Sequence, residues 1–207
     1  MSKALSATKT EVRNGAAVIA RWLDRLSKGR ITPDMVTYAG LLMHLPIAWL
    51  IATQHNLWAA AFLIVFGLFD TLDGELARLQ KRDGPRGMLL DASTDRFKEA
   101  MLYTGAAYAL ASSAHPQDAA WAAAAVGASI CVSYVKAKGE AVVATGKKIP
   151  HATLNRMFAD GILTFEIRMA VLAAGLIFDR LLWAVAVVAV LASLTAVQRL
   201  MRISKQL

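Results

Sequence analysis

Four aspartates lie inside hydrophobic stretches of the sequence, where a carboxylate is costly. Asp70 and Asp73 are three residues apart and Asp91 and Asp95 are four apart, so each pair shares one face of a helix. A charged side chain within a membrane span costs about 2.5–3.5 kcal/mol on insertion scales, which makes these residues functional candidates. Oxygen ligands without His or Cys select hard cations such as Mg²⁺, Mn²⁺ or Ca²⁺. The spacing therefore predicts a divalent metal site.

The aspartates allow two other interpretations. In the first, each carboxylate caps a helix or pairs with Arg78, Arg96 or Lys98, which would explain one aspartate but not four at matched spacing and depth. In the second, the protein is a divalent-cation transporter. A permeation path should carry polar groups at several depths, whereas here the ionisable residues crowd one end of their segments. Metal-assisted chemistry is the favoured interpretation.

The segments that must position these aspartates are typical of a membrane protein. The 207 residues are 57% apolar and 18% charged, against about 45–50% and about 25% in soluble domains. The single Cys131 excludes an internal disulfide. Because about 20 apolar residues cross a bilayer core, the sequence predicts an all-α integral membrane protein, with one domain over residues 1–207 and six transmembrane helices. These lie at about 36–52, 58–77, 89–112, 119–135, 162–177 and 181–197.

A further helix is predicted before the first span. Residues 13–28 place Val18, Trp22 and Leu26 at helical spacing, opposite Arg21 and Arg25. This pattern is typical of an amphipathic juxtamembrane helix that lies in the membrane interface. Charges interrupt its apolar run throughout, which argues against a signal peptide.

The basic residues predict the orientation. If the six spans alternate, residues 53–57, 113–118 and 178–180 share one side, and Arg180 is their only Lys or Arg. The positive-inside rule places the opposite side, with both termini and the aspartates, in the cytoplasm. The net charge of +8 then serves orientation, and no nucleic-acid partner is expected because nucleic-acid readers are far less apolar. We expect a multi-pass protein of the cell inner (plasma) membrane with a cytoplasmic active site.

The residues between the aspartate pairs add a phosphate-binding character. Gly74 and Ala77 leave a shallow helix face that a phosphate or a flat ring can approach. Arg78 supplies a fixed fork of donors suited to phosphate. Small residues by themselves are more often a sign of helix packing, so this reading depends on the neighbouring aspartates.

The whole stretch from Asp70 to Asp95 reads D-x-x-D-G-x-x-A-R-x8-G-x3-D-x3-D, with every fixed position filled. It resembles the signature of the CDP-alcohol phosphotransferases, integral membrane enzymes of phospholipid synthesis. Outer segments, such as the Thr32-Pro33-Asp34-x-Val36-Thr37 start of the first span, look most like bacterial phosphatidylinositol-phosphate synthases. The resemblance covers nearly the whole chain, and the aspartate signature is its specific part.

The resemblance implies transfer of the phosphatidyl group of CDP-diacylglycerol to an alcohol hydroxyl, with release of CMP, by a homodimer in the lipid bilayer. It implies two Mg²⁺ or Mn²⁺ ions held by four aspartates, of which Asp95 is also the catalytic base. The implied metal ligands are Asp70, Asp73, Asp91 and Asp95, and the implied CDP-binding residues are Asp70, Asp73, Gly74, Ala77, Arg78 and Gly87.

The acceptor alcohol is predicted from basic residues at the cytoplasmic ends of the last three spans, Lys136, Arg168 and Arg199. Arg168 lies one turn inside the fifth span, where it is costly without a partner, and a phosphate would be such a partner. This favours inositol phosphate or glycerol phosphate over an uncharged or amine-bearing alcohol, and the resemblance implies inositol phosphate first. In the synthases that the chain resembles, an E-R-P-E-R-like run opens this span, and residues 164–168 keep only its last Arg. Glycerol 3-phosphate, used in phosphatidylglycerol-phosphate synthesis, is therefore the alternative acceptor.

Overall fold

The computed structural model describes residues 3–146 and 163–204, and within them it is helical and has no strand. A short 3₁₀ helix at Pro116–Asp118 precedes the sixth α-helix. The α-helices are α1 Lys3–Ser27, α2 Pro33–Ala52, α3 Asn56–Gly67, α4 Phe69–Leu79, α5 Pro85–Ala111, α6 Ala119–Gly146, α7 Phe165–Ile177 and α8 Leu181–Ser204.

Every segment predicted from the sequence overlaps a helix, with differences at several bounds. α1 begins at Lys3 rather than at 13, and α8 continues to Ser204, beyond the predicted end at 197. The second predicted span is broken into α3 and α4, because the Leu68 N–H bonds to the Val65 carbonyl, three residues back. The rings of Phe66 and Phe69 pack across this break with centroids 5.1 Å apart. α6 also continues beyond the predicted end at 135, since a helix need not end where its apolar stretch does. Residue 162, the predicted start of the fifth span, lies outside the described residues.

Four helical stretches in the described part of the chain are long and apolar enough to cross a membrane. They are Pro33–Ala52, Asn56–Leu79, Pro116–Val143 and Leu181–Ser204. α5 carries the charges of the aspartate region in its first half, and α7 has 13 residues. The all-helical membrane fold is confirmed, while six crossings and an interfacial position of α1 stay predictions.

Tight turns end several helices on a left-handed residue. After α4 the backbone of Lys81 has a φ of 54°, and the Arg82 N–H donates to the Ala77 carbonyl at 2.9 Å. The same turn follows α2 at Gln54 and α7 at Asp179. Such bonds satisfy the last carbonyls of a helix. The turn at Lys81 ends α4 sharply and leads the chain into α5, which carries the second aspartate pair.

The chain divides into two packing units, the first made of residues 1–47 and 61–98. Its core joins α1, α2 and α4 through Ala20, Val36 and Leu76, all buried. At the end of α4, Gln80 Nε2 donates to Asp24 Oδ1 at 2.7 Å and to the Ile31 carbonyl at 2.9 Å. These bonds fix the end of α1 and the connection to α2 against α4.

The second unit consists of residues 48–60 and 99–207, and within it α6 packs along α8. Buried small residues recur at helical spacing on both helices, for example Ala122 and Ala125 on α6 and Ala189 and Ala192 on α8. Helices in a bilayer gain little from burying apolar surface, so small residues that let backbones approach are a common means of association.

Another close approach in the second unit brings Gly105 on α5 against the backbone of Ala48 on α2. A methyl group there would overlap the Ala48 carbonyl oxygen, so we expect Gly105→Ala to cost about 1–3 kcal/mol, as overpacking usually does. The matched control is Gly127→Ala on α6, where a methyl group meets nothing within 4 Å and helix propensity favours Ala. Thermal unfolding in detergent measures both, and equal midpoints for the two variants would contradict the close approach.

Candidate functional site

Three of the four predicted aspartates come together where α4 faces α5. Asp70 on α4 and Asp91 and Asp95 on α5 each offer a carboxylate oxygen, and these oxygens all lie within 4.8 Å of one another. Ligand oxygens bind Mg²⁺ or Ca²⁺ at about 2.0–2.6 Å, so two oxygens on one ion are at most about 5 Å apart. The donor set and its spacing therefore fit a hard divalent cation.

Asp95 has an oxygen that the protein leaves available. Its Oδ1 is buried and accepts no hydrogen bond from the part of the chain that the structure describes, although the Lys98 ammonium lies 3.5 Å away. Its other oxygen lies 3.5 Å from Arg96 Nη2. A buried acceptor without a donor is unfavourable by itself, which again fits a site for a cation or for a proton donor.

Asp73 is held differently from the other three. The Thr37 hydroxyl, on α2, donates to Asp73 Oδ2 at 2.5 Å, and both side chains are buried. Asp73 does not belong to the group of oxygens within 4.8 Å, yet it lines the same cavity as Asp70 and Asp91. Its role as a fourth ligand stays a prediction. In the sequence Thr37 stands only in the start of the first span, whereas the structure brings its hydroxyl to Asp73.

Lys98 is a second residue that sequence reasoning did not place in the site. Its side chain is fully buried and its ammonium donates to Asp70 Oδ1. An aspartate thus pairs with a nearby cation, as the alternative to metal binding predicts, and the same carboxylates also have the spacing of a metal site. The signal was available in the spacing, because Lys98 lies three residues after Asp95 and seven after Asp91, on their face of α5.

A cavity of about 240 Å³ opens beside these aspartates. A methyl group on Gly87 would meet nothing within 4 Å, and on Gly74 it would lie 3.7 Å from Arg78 Nη2. Packing therefore requires glycine at neither position, and the room they leave belongs to the cavity. All the residues predicted to bind CDP line it: Asp70, Asp73, Gly74, Ala77, Arg78 and Gly87. Their role in binding stays a prediction.

Arg78 is oriented by a carboxylate that the motif leaves unspecified. Its Nη2 donates to Glu75 Oε1 at 2.5 Å and its Nε to Glu75 Oε2 at 3.3 Å. Arg13 on α1 donates to the same Glu75 Oε1 at 3.1 Å. Glu75 therefore joins the cavity arginine to the first helix, a contact across 62 residues of sequence that no local pattern reveals.

The predicted acceptor residues lie in the second unit. Arg168 is buried and pairs with Glu99 through Nε–Oε1 and Nη2–Oε2 distances of 2.6 and 3.0 Å, and its Nη1 donates to the Leu163 carbonyl. Arg168 thus has the partner that its position requires, and the partner is a protein carboxylate. Lys136 Nζ lies 3.8 Å from Glu140 Oε1, and Arg199 Nη1 donates to the Val132 carbonyl at 3.2 Å. Binding of an acceptor by these residues stays a prediction.

The aspartate signature lies within a longer match to a known family. The sequence profile of CDP-alcohol phosphatidyltransferase matches residues 30–195. The chain belongs to this family. It is 34% identical over 128 residues to the phosphatidylinositol phosphate synthase of Cutibacterium acnes, covering 60% of this chain and 61% of that one. It is 37% identical over 134 residues to the synthase of the same name from Corynebacterium glutamicum, covering 62% and 61%.

Solved structures of the family share the fold. The phosphatidylinositol phosphate synthase of Mycobacterium tuberculosis with CDP-DAG bound superposes with a TM-score of 0.76 and 25% identity, covering 91% of this chain and 92% of that one. The same protein in complex with manganese and citrate gives 0.77 and 25%, covering 91% and 88%. The aligned regions of the two curated relatives span less than two thirds of their length.

In this phosphatidyltransferase-family site, the bond from Thr37 to Asp73 can be tested by itself. We expect Thr37→Val to lower the free energy of unfolding by about 1–3 kcal/mol, because it leaves a buried carboxylate without its donor. Thr104→Val is the control, since that exposed hydroxyl donates to the Ala100 carbonyl of its own helix. Thermal unfolding in detergent compares the two, and a loss no larger than that of the control would contradict a positioning role for Thr37.

Proposed function

We propose that the protein transfers the phosphatidyl group of CDP-diacylglycerol to the hydroxyl of a phosphorylated polyol, inositol phosphate first, and releases CMP. The observation that carries this proposal is the convergence of Asp70, Asp91 and Asp95 oxygens within 4.8 Å, beside a cavity lined by Gly74 and Arg78. The names of the curated relatives, and the CDP-DAG and manganese complexes of their structural counterpart, support the same reaction class.

The metal-binding residues of the proposal are Asp70, Asp73, Asp91 and Asp95, with two Mg²⁺ or Mn²⁺ ions. Ions bound there would neutralise the charge on the two phosphates of the donor as CMP leaves. The all-oxygen donor set suits either ion.

The remaining steps belong to the chain's own residues. Arg78, oriented by Glu75, and the open helix face at Gly74 and Ala77 receive the diphosphate of the donor. Asp95 accepts the proton of the acceptor hydroxyl, whose oxygen forms the new bond to the phosphatidyl phosphorus while the bond from that phosphorus to CMP breaks. A base must come within about 2.6–3.2 Å of the group it deprotonates, and the buried Oδ1 of Asp95 accepts no hydrogen bond from the described residues.

Lys136, Arg168 and Arg199 are the proposed acceptor residues. The curated relatives named phosphatidylinositol phosphate synthase favour inositol phosphate. Residues 164–168 keep the last Arg of the run that the resemblance implies and lack the earlier one, which leaves glycerol 3-phosphate as the second candidate. The engagement of Arg168 by Glu99 leaves a larger share of the phosphate contacts to Lys136 and Arg199.

The proposal also includes the placement in the membrane. α1 exposes Val18, Trp22 and Leu26 at 57%, 61% and 68%, which supports its lying in the interface, and six crossings put the aspartates at the cytoplasmic face of the inner membrane. A lipid donor presents its phosphates at headgroup level, so a site there meets them without lifting acyl chains into water. We also propose a homodimer, as the family resemblance implies.

The deciding experiment is CMP release from CDP-diacylglycerol by purified protein in mixed micelles with Mg²⁺ or Mn²⁺. Inositol phosphate, glycerol 3-phosphate, inositol and no acceptor form the panel. We expect release with inositol phosphate above all others. Faster release with glycerol 3-phosphate would establish the second candidate, and ion flux in vesicles without any CMP release would overturn the enzyme proposal.

The base role of Asp95 predicts a separation of binding from turnover. Asp95→Asn should retain CDP-diacylglycerol binding and lose at least about 100-fold in CMP release, the usual contribution of a general base. Asp118→Asn, in the 3₁₀ helix, is the control and should retain wild-type turnover. Turnover close to wild type in Asp95→Asn would remove this residue from the base role.

The open space at Gly87 predicts an effect on binding without one on stability. We expect Gly87→Ala to weaken CDP-diacylglycerol binding about tenfold, since one methyl group in a fitted pocket changes affinity by about that much. Its thermal midpoint should match that of Gly15→Ala on α1, because neither methyl group meets an atom within 4 Å. Unchanged affinity would place the donor elsewhere.

A further inference from the structure

Lys98 is buried among the aspartates although no fixed position of the family signature specifies it. The signature ends at Asp95, and Lys98 follows it by three residues on α5. Its side chain has no solvent exposure. A long cationic side chain is rarely buried completely unless it is paired, so the partners of its ammonium decide what Lys98 does.

Those partners are two of the three clustered carboxylates. The ammonium donates to Asp70 Oδ1 and lies 3.5 Å from Asp95 Oδ1. Asp70 belongs to α4 and Asp95 to α5, so the ammonium bridges the two helices at the point where their aspartates meet. Asp91 and Asp95 lie on the Lys98 face of α5, at seven and three residues before it.

The charges of the cluster explain why such a bridge is needed. Three carboxylates with oxygens within 4.8 Å repel one another strongly in a protein environment. The Lys98 ammonium compensates one of the three negative charges. It donates to Asp70 Oδ1 and lies 3.5 Å from Asp95 Oδ1, on two of the carboxylates that a shared divalent ion would bind.

We propose that Lys98 is an internal counter-cation of the aspartate cluster. Without a divalent ion its ammonium links Asp70 to Asp95, and a divalent ion competes with it for the same two carboxylates. This inference rests on the proposed function for the ion itself. It adds that the cluster stays assembled without metal, and that this chain binds metal more weakly than the same aspartates would without the lysine.

The test removes the charge and keeps the side-chain length. Lys98→Met and wild type are compared in detergent by thermal unfolding after chelation, by unfolding with saturating Mn²⁺, and by calorimetric titration with Mn²⁺. We expect the metal-free midpoint of Lys98→Met to fall, and saturating Mn²⁺ to remove most of the difference. The dissociation constant for Mn²⁺ should fall about tenfold, because the competing charge is gone.

Two variants control the comparison. Lys98→Arg keeps the positive charge, and its metal-free midpoint and Mn²⁺ affinity should lie closer to wild type than those of Lys98→Met. Lys138→Met removes a charge from an exposed position on α6 and should change neither quantity.

The proposal is overturned if Lys98→Met keeps the wild-type midpoint without metal or binds Mn²⁺ no more tightly than wild type. Failure of this variant to fold even in saturating Mn²⁺ also overturns it, because the ion should substitute for the ammonium. The proposed function fails in a different way. If neither wild type nor any variant binds Mn²⁺, the metal site itself is contradicted. If all variants bind Mn²⁺ with the same affinity whatever the charge of residue 98, only the role of Lys98 is contradicted.

Discussion

Several carboxylates must share a small volume in an apolar protein, and this constraint governs the arrangement of the first packing unit. Like charges so close are tolerated only with cations or hydrogen-bond donors at hand. The structure supplies a donor to Asp73 from Thr37 and a cation to Asp70 from Lys98. These contacts join α2, α4 and α5, so the residues that neutralise the aspartates also hold the helices that carry them.

The second unit contains the reverse case, a buried positive charge that needs a negative partner. Arg168 is a buried cation, and Glu99 on α5 neutralises it with two hydrogen bonds. Removing one partner of such a pair would leave an uncompensated buried charge, which typically costs about 3–5 kcal/mol. Apolar side chains distinguish poorly between neighbouring helices and lipid. A buried ion pair, by contrast, determines which helix lies against which. It also accounts for the presence of a buried arginine near the start of α7.

How much the sequence could predict depended on the distance between interacting residues. The aspartate pairs, the open face at Gly74 and the helical segments follow from local spacing, and the structure brings Asp70, Asp91 and Asp95 together while Asp73 lies outside that group. Thr37 and Asp73 are 36 residues apart, and Glu99 and Arg168 are 69 apart. Local patterns do not show which distant side chain a residue meets, so the sequence predicts that Arg168 needs a partner without identifying Glu99. The break at Leu68 was equally hidden, because hydropathy is continuous across it.

The contact between Glu75, Arg78 and Arg13 orients a side chain of the cavity but adds little to the free energy of folding. The side chains of Arg13 and Arg78 are 60% and 48% exposed, and exposed ion pairs contribute only about 0–1 kcal/mol. The contact instead orients Arg78. Glu75 binds it through two hydrogen bonds, which reduces the number of conformations that this long, cavity-lining side chain can adopt. The same carboxylate holds Arg13 on α1. A ligand phosphate that draws Arg78 toward itself therefore alters the Glu75 contact that Arg13 shares, which connects occupancy of the cavity to α1, a helix with exposed Val18, Trp22 and Leu26.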